Sequence, residues 1–296
     1  MITRLVGATI RAFLVILLIA TPSLVLPGTS SEITQIVTLI ALFGAGLTFF
    51  EYASTYPGLV EFRDAPPFNR IRFGSLFLTV FLLSFLVSGT IAPTMMTEFV
   101  GWIGSTIGRV IDFPYSPVRL VVLMLPPEAS VSHVHLVRDA AGLAYLISLF
   151  TLVVFLVLQR IHRWPLRRGS FNVWVNLPTF DPTAGGDVVE RLERDARFNI
   201  ALGFLLPFLT PAVIKSATSL FGAVSLESPQ TLIWTVAAWA FLPASLFMRG
   251  IAMGRIAMMI TEKRKLSSED EGNAGLLPCL LYTSPSPRDC GPDLVC

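Results

Sequence analysis

Six long apolar runs alternate with arginine-bearing segments along the chain. No Asp, Glu, Lys, Arg or His lies inside any of these runs. A helix that crosses a bilayer needs about 20 apolar residues, with about 17–25 tolerated, and it satisfies its own backbone hydrogen bonds in lipid. We therefore predict an all-α fold, a polytopic transmembrane helix bundle with six spans. The predicted spans are residues 12–27, 33–50, 73–92, 140–158, 198–214 and 230–248.

The overall composition agrees with a membrane protein. Of the 296 residues, 53% are hydrophobic and 14% are charged, and the mean hydropathy is +0.68. Soluble domains contain about 25% charged residues. The net charge of +2 is too small to favour nucleic acid as a partner. The partner that the composition indicates is the lipid bilayer.

The distribution of basic residues predicts the orientation of the bundle. Seventeen Lys and Arg residues lie before the first span, in the loops 51–72 and 159–197, and after the sixth span, whereas four lie on the other side; Arg288 completes the 22. Basic segments stay in the cytoplasm, so both termini are predicted to be cytoplasmic. The preference for arginine over lysine is typical of bacteria with GC-rich genomes. We therefore expect a multi-pass protein of a bacterial inner (plasma) membrane.

The outer loop, residues 93–139, is too apolar for a plain solvated loop. Helical spacing runs from Thr94 to Asp112, with an apolar face and a face of small residues. Such an amphipathic helix can lie in the plane of the interface, while Gly104 and Gly108 would alternatively suit close helix packing. A second apolar run covers residues 118–125. If both pieces entered the membrane, the count would rise to eight spans and the orientation would not change.

The inner loop 159–197 ends in a predicted helix. A turn at residues 181–186 is followed by three acid-then-arginine pairs at the spacing i, i+4 that stabilises helices. We expect this helix to run directly into the fifth span. Pro207 and Pro211 should kink that span.

His133 and His135 are the candidate metal ligands, with Asp139 nearby. Two imidazoles and a carboxylate can bind zinc or copper. The histidines stand at strand spacing, however, and no third strong ligand accompanies them. We therefore predict an ordinary polar loop with no metal site and no cofactor, and a metal site at these residues is the alternative.

The inner loops carry clustered arginines beside the membrane. Such clusters can contact anionic lipid head groups or another membrane protein. The alternative is that they only set the topology. The candidate contact residues are Arg63, Arg70, Arg72, Arg160, Arg163, Arg167 and Arg168.

The C-terminal residues differ from the rest of the chain. Residues 279–289 read C-L-L-Y-T-S-P-S-P-R-D, which resembles one reading frame of a transposase-type sequencing-library adapter. We therefore expect residues 279–296 to be a translated adapter that is not native and is disordered, and residues 1–278 to form a single integral membrane domain. All three cysteines lie in this tail, so cysteine chemistry does not enter the functional prediction.

The functional prediction depends on the catalytic and ion-coupling groups that the sequence lacks. The spans contain no histidine for an intramembrane protease and no charged group for ion coupling. The chain has no P-loop, G-x-S-x-G or H-E-x-x-H motif. We predict a non-catalytic scaffold, assembly factor or accessory membrane subunit. The alternatives are a channel or facilitator for a neutral or amphipathic solute, and an enzyme that acts at the outer interface.

Overall fold

A computed structural model describes residues 2–55, 58–161, 164, 176–180, 185–221 and 226–273. Within these ranges the chain forms eight α-helices and no strand. The helices are α1 (Ile2–Val25), α2 (Ser31–Ala53), α3 (Phe68–Ser88), α4 (Met95–Ile111), α5 (Pro117–Val122), α6 (Val131–Ile161), α7 (Val188–Phe221) and α8 (Pro229–Asn273). The predicted adapter tail lies outside the described residues.

Six of these helices are long and apolar enough to cross a membrane, namely α1, α2, α3, α6, α7 and α8. Each contains most or all of one predicted span, so the prediction of an all-α polytopic bundle with six spans is confirmed. The helix that precedes the fifth span does run into it, since α7 is continuous from Val188. α3 ends earlier than predicted, at Ser88, with Gly89 in the C-cap position.

The ends of the long helices form two faces of the bundle. At one face, Arg4 near the start of α1 donates from Nε to the carbonyl oxygen of Tyr52 in the last turn of α2 (3.4 Å). We call this face the basic end, because the arginine-rich loops lie there. At the opposite end, the Ser88 hydroxyl of α3 donates to the carbonyl oxygen of Val25 in α1 (3.2 Å). α1, α2 and α3 therefore run in alternating directions.

The centre of the bundle is formed by α3, α6 and α8, which pack against one another. Their buried side chains include Leu83 of α3, Ala144 of α6 and Val236 of α8. At the periphery, α2 packs only against α1 among the described helices. Its large apolar side chains are mostly exposed, for example Phe43 at 69%. In a membrane, lipid covers this surface.

The amphipathic helix α4 crosses α3 and α6 near the end opposite the basic end. Its buried residues include Gly104 and Gly108. Gly108 meets Gly142 of α6 so closely that a Cβ on Gly142 would lie 2.7 Å from the Gly108 Cα. Meanwhile Met96 and Val110 of the apolar face are 64% and 74% exposed. The small-residue face therefore packs against the bundle, as one of the two sequence alternatives predicted, and the apolar face points outward.

α7 and α8 form an antiparallel hairpin whose backbones touch at glycines. A Cβ on Gly203 would lie 2.8 Å from the carbonyl oxygen of Pro243, and a Cβ on Gly250 would lie 2.7 Å from that of Ala196. Because proline lacks an N–H, Pro211 leaves the carbonyl oxygen of Pro207 without its helical donor. The indole Nε1 of Trp239 in α8 donates to that oxygen instead (3.1 Å).

Adding one methyl group at either of two glycines of α4 should have opposite effects on stability. Gly108→Ala places a Cβ within 2.9 Å of the Asp139 Cα, so we expect it to lower the free energy of unfolding by about 1–3 kcal/mol. Gly101→Ala places its Cβ in open space and should raise that free energy by up to about 1 kcal/mol, because alanine favours helix. Unfolding measurements in mixed micelles would check both values. Equal effects of the two substitutions would contradict the α4–α6 packing.

Candidate functional site at the basic end of the bundle

The loops at the basic end fold into a second buried core. The rings of Phe62, Phe68 and Trp164 contact one another, with centroid distances of 4.4 Å between the two phenylalanines and 5.6 Å between Phe62 and Trp164. The Trp164 indole Nε1 donates to the carbonyl oxygen of Ala65 (3.0 Å). Phe62 holds a positive φ of 52°, which a bulky residue rarely adopts unless its surroundings impose it. This core therefore fixes the conformation of loop residues, although crossing the membrane does not require these loops to be ordered.

Glu61 is the polar centre of this end. Its carboxylate accepts two hydrogen bonds from the Arg249 guanidinium, Nε to Oε2 at 2.6 Å and Nη2 to Oε1 at 2.8 Å. The Thr179 hydroxyl donates to Oε1 (2.7 Å). The third nitrogen of the guanidinium, Nη1, donates to the side-chain oxygen of Asn199 (3.0 Å). One ion pair thus connects the α2–α3 loop, the segment 176–180, α7 and α8.

The surroundings of Glu61 keep it charged at neutral pH. Burial by itself would raise the pKa of the Glu61 carboxyl, but the hydrogen bonds from Arg249 and Thr179 and the nearby positive charges of Arg249 and Arg72 outweigh burial and lower the pKa below its usual value. The side chain is 12% exposed and that of Arg249 is 28% exposed. The pair is therefore largely desolvated, and each charge depends on the other.

Arg63 closes the end of α2. Its Nη1 donates to the carbonyl oxygens of Glu51 and Ser54 (2.9 Å each), two acceptors that a helix end leaves without partners. In return, the Glu51 carboxylate accepts hydrogen bonds from the backbone N–H groups of Gly58, Leu59 and Val60 at 3.0–3.2 Å. α2 and the loop that follows it therefore hold each other in place.

The arginines that the sequence indicated as possible lipid or partner contacts differ in their exposure and in their contacts. The Arg63 side chain is only 6% exposed. Arg72 lies over the rings of Phe68 and Phe241, at 5.4 and 5.9 Å from their centroids. Arg70 and Arg160 are exposed. The remaining candidates, Arg163, Arg167 and Arg168, lie outside the described residues.

Two arginine-lined grooves open at the basic end. One, of about 520 Å³, lies beside the start of α1 and is lined by Arg4, Arg11 and Arg63. Within it the Arg11 guanidinium lies 4.5 Å from the centre of the Tyr52 ring. The other groove, of about 600 Å³, lies between α6, α7 and α8. Both would favour an anion over a cation.

The candidate metal ligands lie at the opposite end, on a helix and not in a loop. The Ser130 side chain accepts from the His133 N–H (3.3 Å), and α6 begins at Val131. Arg138 donates from Nη2 to Asp139 Oδ1 (2.9 Å), and the same nitrogen contacts His135 Nδ1 at 3.3 Å. In the described part of the chain no group of three or more His, Cys, Asp and Glu could hold a metal ion. This geometry gives the alternative of a zinc or copper site no support.

Sequence reasoning missed the four residues of the Glu61 network. A signal existed for Arg249, because the apolar pattern resumes after it and so places a charge within a continuous hydrophobic helix. Such charges are usually paired and functional. No comparable local signal marked Thr179 or Asn199.

Removing the charge of Glu61 should destabilise the whole basic end. Glu61→Gln leaves Arg249 partly buried without a counter-charge, so we expect the free energy of unfolding at pH 7 to fall by about 3 kcal/mol. The folded-state pKa of Glu61 is lowered. Its contribution is therefore complete above the unfolded pKa of about 4.3 and is lost as the pH falls through the folded value.

The measurement is the difference in unfolding free energy between wild type and Glu61→Gln as a function of pH. The difference should stay constant from about pH 8 to about pH 5 and shrink below about pH 4. Glu98→Gln, on the exposed first turn of α4, is the matched control and should change stability by less than about 0.5 kcal/mol. A Glu61 variant as stable as this control would refute the role of the pair.

The functional proposal rests on the geometry of the basic end, because comparison with known proteins gave no match. The chain matches no protein-family model, no curated protein and no solved structure.

Proposed function

We propose that this protein is a non-catalytic membrane subunit, a scaffold or assembly factor that offers its ordered basic end to another membrane protein. The observation that carries the proposal is the Glu61–Arg249 pair, which joins two loop segments to two membrane helices. Ordering a backbone residue costs about 1–2 kcal/mol in conformational entropy. Loops that only set topology would not need this order.

The surface of the basic end suits a protein contact. Leu59 is 70% exposed although its backbone is fixed by the Glu51 carboxylate. Arg70 lies exposed at the start of α3. Arginine is enriched among the residues that anchor protein interfaces, an exposed leucine beside it adds apolar area that binding can bury, and a fixed loop loses little entropy when it binds.

The basic end faces the cytoplasm of a bacterium in this proposal, and the protein lies in the inner membrane with both termini inside. The excess of seventeen basic residues over four at the two ends supports this orientation. A negatively charged inner leaflet would add to it, because basic residues near such a surface contribute about 1 kcal/mol each.

The two alternatives receive less support. A channel could use the proline-containing α7, but the carbonyl oxygen that Pro211 frees is already bonded to Trp239, and the space between α3, α6 and α8 is filled by apolar side chains. An enzyme at the outer interface would need His133, His135 and Asp139 to converge, whereas Arg138 contacts the last two of them.

The proposal is tested by cross-linking in native membranes, followed by mass spectrometry of the recovered complexes. A membrane-impermeant amine reagent should reach Lys263 and Lys265 near the end of α8 in inside-out vesicles and not in intact spheroplasts. Leu59→Ser with Arg70→Gln should reduce the recovered partner by about fivefold or more, because interface anchors contribute more than about 1 kcal/mol each.

Arg109→Gln is the control for this experiment, since Arg109 is an exposed arginine of α4 near the opposite end. It should leave the recovered partner unchanged. The proposal fails if the loop double variant recovers the same partners as wild type, or if the reagent labels the lysines only in spheroplasts.

A further inference from the structure

The groove between α6, α7 and α8 begins where the close backbone contact between α7 and α8 ends. At Gly250 the α7 backbone is in contact, since a Cβ there would lie 2.7 Å from the carbonyl oxygen of Ala196. One turn further, a Cβ on Gly254 would meet only the Ala196 Cβ, at 3.8 Å. The resulting volume of about 600 Å³ lies in the range of about 300–1,000 Å³ that ligand sites occupy.

Three arginines from three different helices line this groove. Arg160 comes from α6, Arg197 from α7 and Arg255 from α8. Nε of Arg197 donates to the carbonyl oxygen of Glu193 (3.3 Å), and Nε of Arg255 donates to that of Trp164 (3.4 Å). No salt bridge involves these arginines within the described ranges. Among the described lining residues Glu193 is the one carboxylate, so these side chains make the groove positive.

Apart from Gln159, the rest of the lining is apolar. Leu156 and Met258 line the groove and are 40% and 56% exposed. Ile200 and Ile251 also line the groove, and Ile200 packs directly against Gly250 at the helix contact. These side chains belong to long helices that cross the membrane, so the apolar wall continues into the surface that lipid covers.

We propose that this groove binds one anionic phospholipid, with the phosphate between the arginines and an acyl chain along the apolar wall. A guanidinium binds phosphate through paired hydrogen bonds. A free inorganic anion would use the arginines and leave the apolar wall uncovered. A zwitterionic lipid would bring its own cation to a site that is already positive. The site does not depend on the protein partner proposed above.

The test measures lipid binding to the purified full chain by native mass spectrometry after delipidation. Phosphatidylglycerol and phosphatidylcholine are titrated separately in mixed micelles. Wild type should bind the first about tenfold more tightly or better. Arg160→Gln with Arg197→Gln should weaken phosphatidylglycerol binding by about 25-fold, at about fivefold per arginine, and should leave phosphatidylcholine binding unchanged.

A second variant tests the groove itself. Gly254→Leu fills the floor without touching a charge and should weaken phosphatidylglycerol binding by at least about fivefold. Arg194→Gln, at an exposed arginine of α7 outside the groove lining, should bind like wild type. Inorganic phosphate at millimolar concentration should not displace the lipid. Equal affinity for both lipids, an unaffected Gly254 variant, or displacement by phosphate would each overturn the proposal.

The occupant in the native membrane is identified by photo-cross-linking. A benzophenone amino acid in place of Met258 should yield phospholipid adducts whose yield falls in the arginine double variant. Adducts to a second copy of the chain, to residues of the same chain or to another protein, with no lipid adduct, would overturn the assignment of lipid to this groove.

Discussion

The salt bridge between Glu61 and Arg249 joins the loop after α2 to the last long helix at the boundary of the bundle. Removing two charges from water is unfavourable, and their attraction offsets this only when the geometry is good and the remaining hydrogen-bonding groups are satisfied. Both conditions hold here, because the contact is bidentate and Thr179 and Asn199 take further positions. Since the partners come from different segments, one pair fixes the relative positions of all of them.

Different interactions hold the structure together on the two sides of this pair. Towards the lipid, small residues let backbones touch, as at Gly203 and Gly250 between α7 and α8, because packing and not water exclusion drives helix association there. At the basic end, hydrogen bonds and aromatic rings hold the loops. Beyond Gly250, buried side chains of α7 and α8 join the loop core, and other side chains of the same two helices line the arginine-containing groove.

Much of the fold could be predicted from the sequence, because lipid imposes a strict rule on spanning segments. The six spans follow from the absence of charge, and the glycine spacing of α4 indicated close packing. Helix ends were less predictable. α6 begins at Val131, well before its apolar run, since Ser130 caps it; the strand-like spacing of His133 and His135 was misleading for this reason.

The candidate site was mostly beyond sequence reasoning. Glu61 and Arg249 are 188 residues apart, and no periodicity links a loop carboxylate to one arginine among many. Among the arginines that the sequence indicated as possible lipid or partner contacts, Arg70 and Arg160 are exposed. Arg63 instead caps α2. Capping of this kind depends on the path of the loop after the helix, and the local spacing of residues in the sequence does not determine that path.

A double-mutant cycle on Glu61 and Arg249 tests the central claim most directly. Unfolding free energies would be measured for wild type, Glu61→Gln, Arg249→Gln and the double variant in the same bicelles. The account predicts a coupling energy of about 2–3 kcal/mol, at the upper end of what contacting residues show. A coupling energy below about 0.5 kcal/mol, with the two single effects simply adding, would contradict it.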